Sequence, residues 1–209
     1  MSEKPILYSF RRCPYAMRAR MALSISNTPV RLREIILRDK PEAMLEASPK
    51  GTVPVLIDED VVIDESLELM HWGLKKNDPE NWLDGNDEDL IAAADGEFKH
   101  HLDRYKYATR YEDADPAEHR SQAMKFINTL DERLATRPYL NGTERSLADI
   151  AIFPFIRQFR IADIEWFDAN APQSVRSWLE RLMDSTLFTS IMTKYPLWKK
   201  TGEEIAFPE

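Results

Sequence analysis

Hydrophobic and polar positions change their period partway along the chain. Up to residue 76, short β-like runs alternate with helical stretches. Residues 6–9 open with Ile6, Leu7 and Tyr8 and predict a strand, and 14–26 predicts a helix that starts at Pro14. In 30–36, Val30, Leu32, Glu34 and Ile36 share one phase of a two-residue period, as a strand requires. Segment 40–47 predicts a short helix with Asp39 as N-cap and Pro41 in its first turn. Segments 53–57 and 61–64 flank Asp58-Glu59-Asp60 and predict a hairpin without glycine, and 65–76 predicts a closing helix.

That order, βαβ, α, ββα, is the thioredoxin arrangement, and Pro54 at the start of its strand agrees with it. Residues 77–89 are rich in Asp, Asn, Glu and Gly, include Pro79, and read as the linker. Beyond them the helical period takes over. Ile91, Ala94, Phe98, Leu102 and Tyr105 recur at helical spacing, as do Ala123, Phe126, Leu130 and Leu134, then Val175, Trp178, Leu179 and Leu182. Ser146-Leu147-Ala148-Asp149 predicts a capped helix start, a capping box with Asp in place of Glu. The expected fold is an α/β thioredoxin-like N-terminal domain over 1–77 and an all-α C-terminal helical domain over 88–209.

Composition narrows the function. A chain of 209 residues can hold two small cores. Its formal charge of −8 argues against a nucleic-acid partner, which needs a basic face. The longest apolar stretch, 150–156, contains Pro154 and falls far short of the about 20 residues that span a bilayer. The N-terminus has no apolar signal core, so a soluble cytoplasmic protein is expected. Cys13 is the only cysteine, which excludes an internal disulfide framework and fits a reducing compartment. Arg11, Arg12, Arg18 and Arg20 surround it in sequence and read as serving the thiol or an acidic small molecule.

Cys13-Pro14 stands where the first strand turns into the first helix. With Cys13 at the N-cap and Pro14 at N1, the sulfur faces the amides of Tyr15 and Ala16 and the positive end of the helix dipole. A favourable dipole contact of up to about 2 kcal/mol corresponds to roughly 1.5 pK units. That brings a thiol from about 8.5 to about 7 without a histidine base. Ala16 occupies the place of the second cysteine in Cys-x-x-Cys proteins, so a mixed disulfide here must be resolved by an external thiol. The plainer alternative is that Cys13 is a small buried hydrophobe.

The segment from Tyr8 to Arg20 resembles the active-site segment of omega-class glutathione transferases and their cysteine-type relatives. Leu37-Arg38-Asp39-Lys40-Pro41-Glu42, Gly51-Thr52-Val53-Pro54-Val55-Leu56 and Asp64-Glu65-Ser66 resemble that family's next landmarks in the same order, and Ser146 to Asp149 its helical-domain motif. The resemblance implies that 1–77 binds glutathione as cosubstrate and that Cys13 forms a mixed disulfide with it. It further implies that Tyr15, Lys40, Val53, Glu65 and Ser66 hold the tripeptide, with Pro54 in the cis form. Implied activities are thioltransferase chemistry, deglutathionylation, dehydroascorbate reduction and reductive removal of glutathione from small adducts. A small electrophilic or disulfide second substrate and a homodimer are implied as well.

Other glutathione transferases use a Tyr or Ser near this strand end, so Tyr8 and Ser9 remain an alternative means of thiol activation. Phe98, Tyr105, Tyr107 and Trp198 are candidates for the second-substrate pocket and equally for the core. His100-His101 and His119 show no metal-ligand spacing and read as surface or capping residues, so no metal is expected. Two rival functions resemble other branches of the superfamily. One is a non-catalytic regulatory interaction protein of the stringent-starvation type, whose members typically lack the reactive Cys-Pro. The other is a chloride intracellular channel, which needs an apolar N-terminal segment that the helix carrying Arg18 and Arg20 does not supply.

Overall fold

Strand β1 (Ile6–Ser9) lies at the centre of a five-stranded sheet of order β4-β3-β1-β2-β5 in the computed structural model, which describes residues 3–208. Leu7, Tyr8 and Ser9 are fully buried, as a central strand covered on both faces requires. Strand β2 (Val30–Glu34) runs parallel to β1, and a parallel pair demands a crossover. Helix α1 (Pro14–Ile25) supplies it. Strands β3 (Val55–Asp58) and β4 (Val61–Ile63) form an antiparallel hairpin, and β3 pairs antiparallel with β1. No glycine serves that hairpin; Glu59 takes the left-handed conformation at φ 53°. The last helix of this region, α3 (Ser66–Leu74), packs against α1, closest at Gly73, where a Cβ would stand 3.3 Å from Leu23 and Ser26.

Two local expectations shift. Strand β2 stops at Glu34 because the chain folds back through Leu37 and Arg38, with Ile36 bridged to Asp39. Asp39 is held in that turn and ion-paired with Lys199, so it does not cap the next helix. Helix α2 (Glu42–Ala47) instead starts after Pro41, whose extended backbone at ψ 139° occupies the N-cap position.

The larger difference concerns the C-terminus. The chain divides into two units, one made of the chain up to Glu80 together with Thr186 onward, the other Asn81–Ser185. The sequence pattern assigns all of 88–209 to the helical domain. After α10 (Thr186–Ile191) and α11 (Trp198–Thr201), strand β5 (Ile205–Phe207) pairs antiparallel with β2, setting Phe207 opposite Val30. Glu204 adds ion pairs to Arg33 at 2.6 Å and Arg31 at 3.3 Å. Three residues are too short a run to stand out as a strand; the exposed edge of β2 provides what their sequence does not.

The second unit is helical: α4 (Glu88–Ala93), a π-helical segment (Ala94–Phe98), α5 (Lys99–Lys106), α6 (Pro116–Leu134), α7 (Leu147–Ala162), α8 (Ile164–Asn170) and α9 (Gln173–Met183). Its core forms around α7, which is buried without a break from Leu147 to Ile156. The capping box predicted at Ser146 and Asp149 is present. Asp149 accepts from Ser146 N and Oγ, Leu140 N and Trp178 Nε1, all at 2.8–2.9 Å. Burial pushes its carboxyl upward while these donors pull it down. Phe98 is core, with its ring 5.0 Å from Phe126 and 5.8 Å from Phe159; Tyr105 packs on Phe159 at 5.3 Å. Among the described residues, no helix is long and apolar enough to cross a membrane.

Candidate active site

Cys13 is the N-cap of α1, with extended backbone (φ −75°, ψ 124°) and Pro14 following it at the start of the helix. Its N–H donates to Phe10 O at 3.0 Å, closing the turn after β1, and its carbonyl accepts the first helical bond from Met17 N at 2.9 Å. The first turn of α1 contains no acidic residue. The thiol is partly exposed and sits 3.6 Å from Val53 O. The Val53–Pro54 peptide is cis.

A cavity of about 230 Å³ adjoins this carbonyl, lined by Tyr15, Lys50, Thr52, Val53, Pro54, Asp64, Glu65 and Ser66. Glu65 is the N-cap residue of α3, and Ser66 begins the helix, so the cavity receives the amide end of a second helix dipole. Arg18 Nε donates to Ser66 Oγ at 2.9 Å, which fixes the hydroxyl. Ser48 Oγ donates to Asp64 at 2.6 Å and fixes that carboxylate in the lining. Lys50 is ion-paired with Glu65, and both side chains are well exposed. Such a pair contributes about 0.2–1 kcal/mol, so an incoming ammonium group can replace Lys50 with little loss.

The structure brings Tyr15, Val53, Pro54, Glu65 and Ser66 around one cavity, with Cys13 in contact with Val53. Lys40 does not line it. Its ammonium lies where a Cβ on Gly51 would come within 3.3 Å, and Gly51 itself is left-handed at φ 63°. Lys50 and Asp64 line the cavity instead; sequence reasoning passes over Lys50 and quotes Asp64 only within the Asp64-Glu65-Ser66 landmark, with no role of its own. Their position beside Gly51-Thr52-Val53-Pro54 and Glu65-Ser66 is the signal that could have found them.

The basic cluster read from the sequence divides: Arg12 is exposed and Arg11 half-buried, while Arg18 and Arg20 are buried supports. Arg18 and Arg20 are 2% and 1% exposed. Arg20 donates to Ser9 Oγ, to Phe10 O at 3.4 Å, to Arg11 O at 2.8 Å and to Ile191 O at 3.3 Å, gripping the turn that presents Cys13. Glu34 holds the same turn from the other side, accepting from Arg11 N at 2.7 Å. Burial pulls the Arg20 guanidinium down to about 10, with Glu34 and Cys13 opposing, so it remains charged at neutral pH. Burial also pushes the Glu34 carboxyl up, against the Arg11 amide and the charge of Arg20.

Tyr8 and Ser9 are fully buried, and their hydroxyl oxygens accept from Arg33 at 2.6 Å and from Arg20. Trp198 packs edge-on to Tyr8 at 5.9 Å and beneath Arg33, in the same apolar cluster that Cys13 touches. Tyr107 accepts from Gln158 at 3.3 Å in the helical unit.

Residues 7–82 match the family described as glutathione S-transferase, N-terminal domain, and residues 88–181 the glutathione S-transferase C-terminal domain. The chain belongs to the glutathione S-transferase family. It is 29% identical to glutaredoxin 2 of Escherichia coli K12 over 191 residues, covering 77% of this chain and 87% of that protein. It is 24% identical to glutathione S-transferase omega-1 of Sus scrofa over 186 residues, covering 85% and 76%. The crystal structure of glutathione transferase Omega 3C from Trametes versicolor superposes with a TM-score of 0.77 at 20% identity, over 95% of this chain and 93% of that one, and shares the fold.

Proposed function

We propose that the protein is a glutathione-dependent thiol transferase that works through a Cys13–glutathione mixed disulfide. The observation that carries this is the Cys13 thiol at a helix start that lacks acidic residues, 3.6 Å from the Val53 carbonyl beside the cavity. The glutathione S-transferase domains support glutathione as cosubstrate, and the likenesses to glutaredoxin 2 and to an omega-class transferase support the thiol chemistry.

Cys13 thiolate attacks the glutathionyl sulfur of a mixed disulfide, RS–SG. The Cys13–SG bond forms, the S–S bond of the substrate breaks, and RS⁻ leaves to take a proton from water. A glutathione thiolate then attacks the glutathionyl sulfur on Cys13, releasing oxidised glutathione and restoring the Cys13 thiolate. Ala16 offers no second sulfur, so the resolving thiol comes from solution. Arg20, charged at neutral pH and bonded to the turn that presents Cys13, and the helix dipole both favour the anion.

The tripeptide fits the cavity by charge. Val53 offers its backbone to the cysteinyl unit, as an added strand would meet it. Glu65 exchanges Lys50 for the γ-glutamyl ammonium, the start of α3 at Ser66 receives the adjacent carboxylate, and Tyr15 closes the wall beside the sulfur. Lys50, once released, faces the remaining carboxylate in place of Lys40. Such chemistry belongs in a reducing compartment, here the cytoplasm.

Intact mass after incubation with oxidised glutathione tests this. One added glutathionyl group is expected, lost again with reduced glutathione and absent in Cys13→Ala. An unmodified parent chain, or equal labelling of the variant, would overturn the assignment.

A further inference from the structure

Three of the chain's four histidines converge in the helical unit. His100 and His101 are neighbours on α5, and His119 lies near the start of α6. The Nδ1 atoms of His101 and His119 are 2.8 Å apart, so one ring donates and the other accepts. The three ring centroids are 5.0, 5.1 and 5.9 Å apart. Each ring offers one nitrogen within 4.8 Å of a nitrogen from the other two.

We propose that His100, His101 and His119 form a binding site for a divalent transition-metal ion of the zinc type. A tetrahedral ion with Zn–N bonds of about 2.0–2.1 Å sets its ligand nitrogens about 3.3–3.4 Å apart. The present separations, from 2.8 Å to no more than 4.8 Å, bracket that value, so side-chain shifts of about an ångström complete the triangle. Three imidazoles with no thiolate select zinc, copper or nickel over calcium or magnesium.

The protonation state suits a ligand set. The His101–His119 hydrogen bond forbids both rings from being cations at once. Neutral imidazole is the form that binds metal. His101 also lines a cavity of about 400 Å³ with Gln122, which leaves room on its side for a water molecule as fourth ligand. Arg104 donates to His100 Nδ1 at 2.9 Å; a neutral imidazole that ligates through either nitrogen no longer accepts there, so metal binding releases Arg104, whose guanidinium already lies 4.4 Å from the Tyr111 ring centre.

Calorimetric titration of the Cys13→Ser protein with zinc chloride tests the site, since that background has no thiol to compete for the ion. Saturable binding of one equivalent is expected, weakening as the pH falls through the imidazole range. His119→Ala and His100→Ala should each weaken it by about tenfold or more, the loss that even indirect support of a metal ligand produces. His100 is exposed, so its removal leaves the packing intact, and thermal unfolding without zinc checks this. Zinc in excess should raise the thermal midpoint of the parent and not of the variants. Absence of saturable binding, or unchanged affinity in His100→Ala, would overturn the site. The outcome is independent of Cys13, whose glutathionylation is read separately by mass.

Discussion

Two helix starts in this molecule solve the same problem in opposite ways. At α7, Ser146 and Asp149 satisfy their neighbours locally, and Asp149 gathers donors from Ser146, Leu140 and Trp178 onto one carboxylate. At α1, the N-cap is Cys13, no acid follows in the first turn, and rigidity comes from Arg20 and from Glu34 on β2. The first arrangement saturates the electrostatic capacity of a helix end. The second preserves it for a sulfur and for whatever binds beside it, and in return the fold must bury two charges.

Replacing Asp149 with alanine should produce the largest change. It leaves Leu140 N, Ser146 N and Trp178 Nε1 buried without their acceptor, at about 1–3 kcal/mol each, so denaturant unfolding should show a loss of about 3 kcal/mol or more. A loss below about 1 kcal/mol would erase the contrast between a saturated and an open helix end.

Arg20→Met comes next. Removing the guanidinium takes a compensating charge from buried Glu34 and leaves the Phe10, Arg11 and Ile191 carbonyls without their donor, for an expected loss of about 3 kcal/mol. Alkylation of Cys13 at neutral pH should also slow. Unchanged alkylation with lowered stability would make Arg20 a brace alone, with no electrostatic effect on the thiol.

The smallest effect, and the sharpest in sign, belongs to Glu34→Gln. Burial raises the Glu34 carboxyl above its usual 4.5, so the folded chain holds this proton more tightly than the unfolded chain. Stability contributed by this group is greatest below 4.5 and falls as the pH rises through the raised value. The substituted amide does not titrate but retains an oxygen for Arg11 N. The unfolding free energy of the variant should therefore gain on that of the parent as the pH climbs through this window. Parallel pH profiles would show that Glu34 does not carry the linkage.

Local rules are readable in the sequence where the determinants are neighbours along it. Ile6 to Ser9 begins and ends as its pattern predicts, Pro14 opens α1, and Ser146 to Asp149 forms its box because N-cap and N3 lie within one turn. Distance along the chain hides the rest. Arg18 and Arg20 read as serving the thiol or an acidic small molecule, and their burial goes unseen because nothing nearby in sequence announces Ser66 or Ile191 as partners. Lys40 and Lys50 are equivalent by composition, and only the path of the chain around Gly51 puts Lys50 at Glu65. His119 is 18 residues from His101, and the two meet because α5 and α6 pack side by side.

The return of the C-terminus to β2 has a consequence for how the molecule is made. Synthesis proceeds from the N-terminus, and domains generally fold in that order. Here the sheet lacks β5, and Arg20 lacks Ile191, until the segment after Thr186 has left the ribosome. A nascent chain that has not yet extended past Thr186 carries Cys13 without its full clamp, so the sulfur acquires its finished surroundings only after the segment with Ile191 and β5 has emerged.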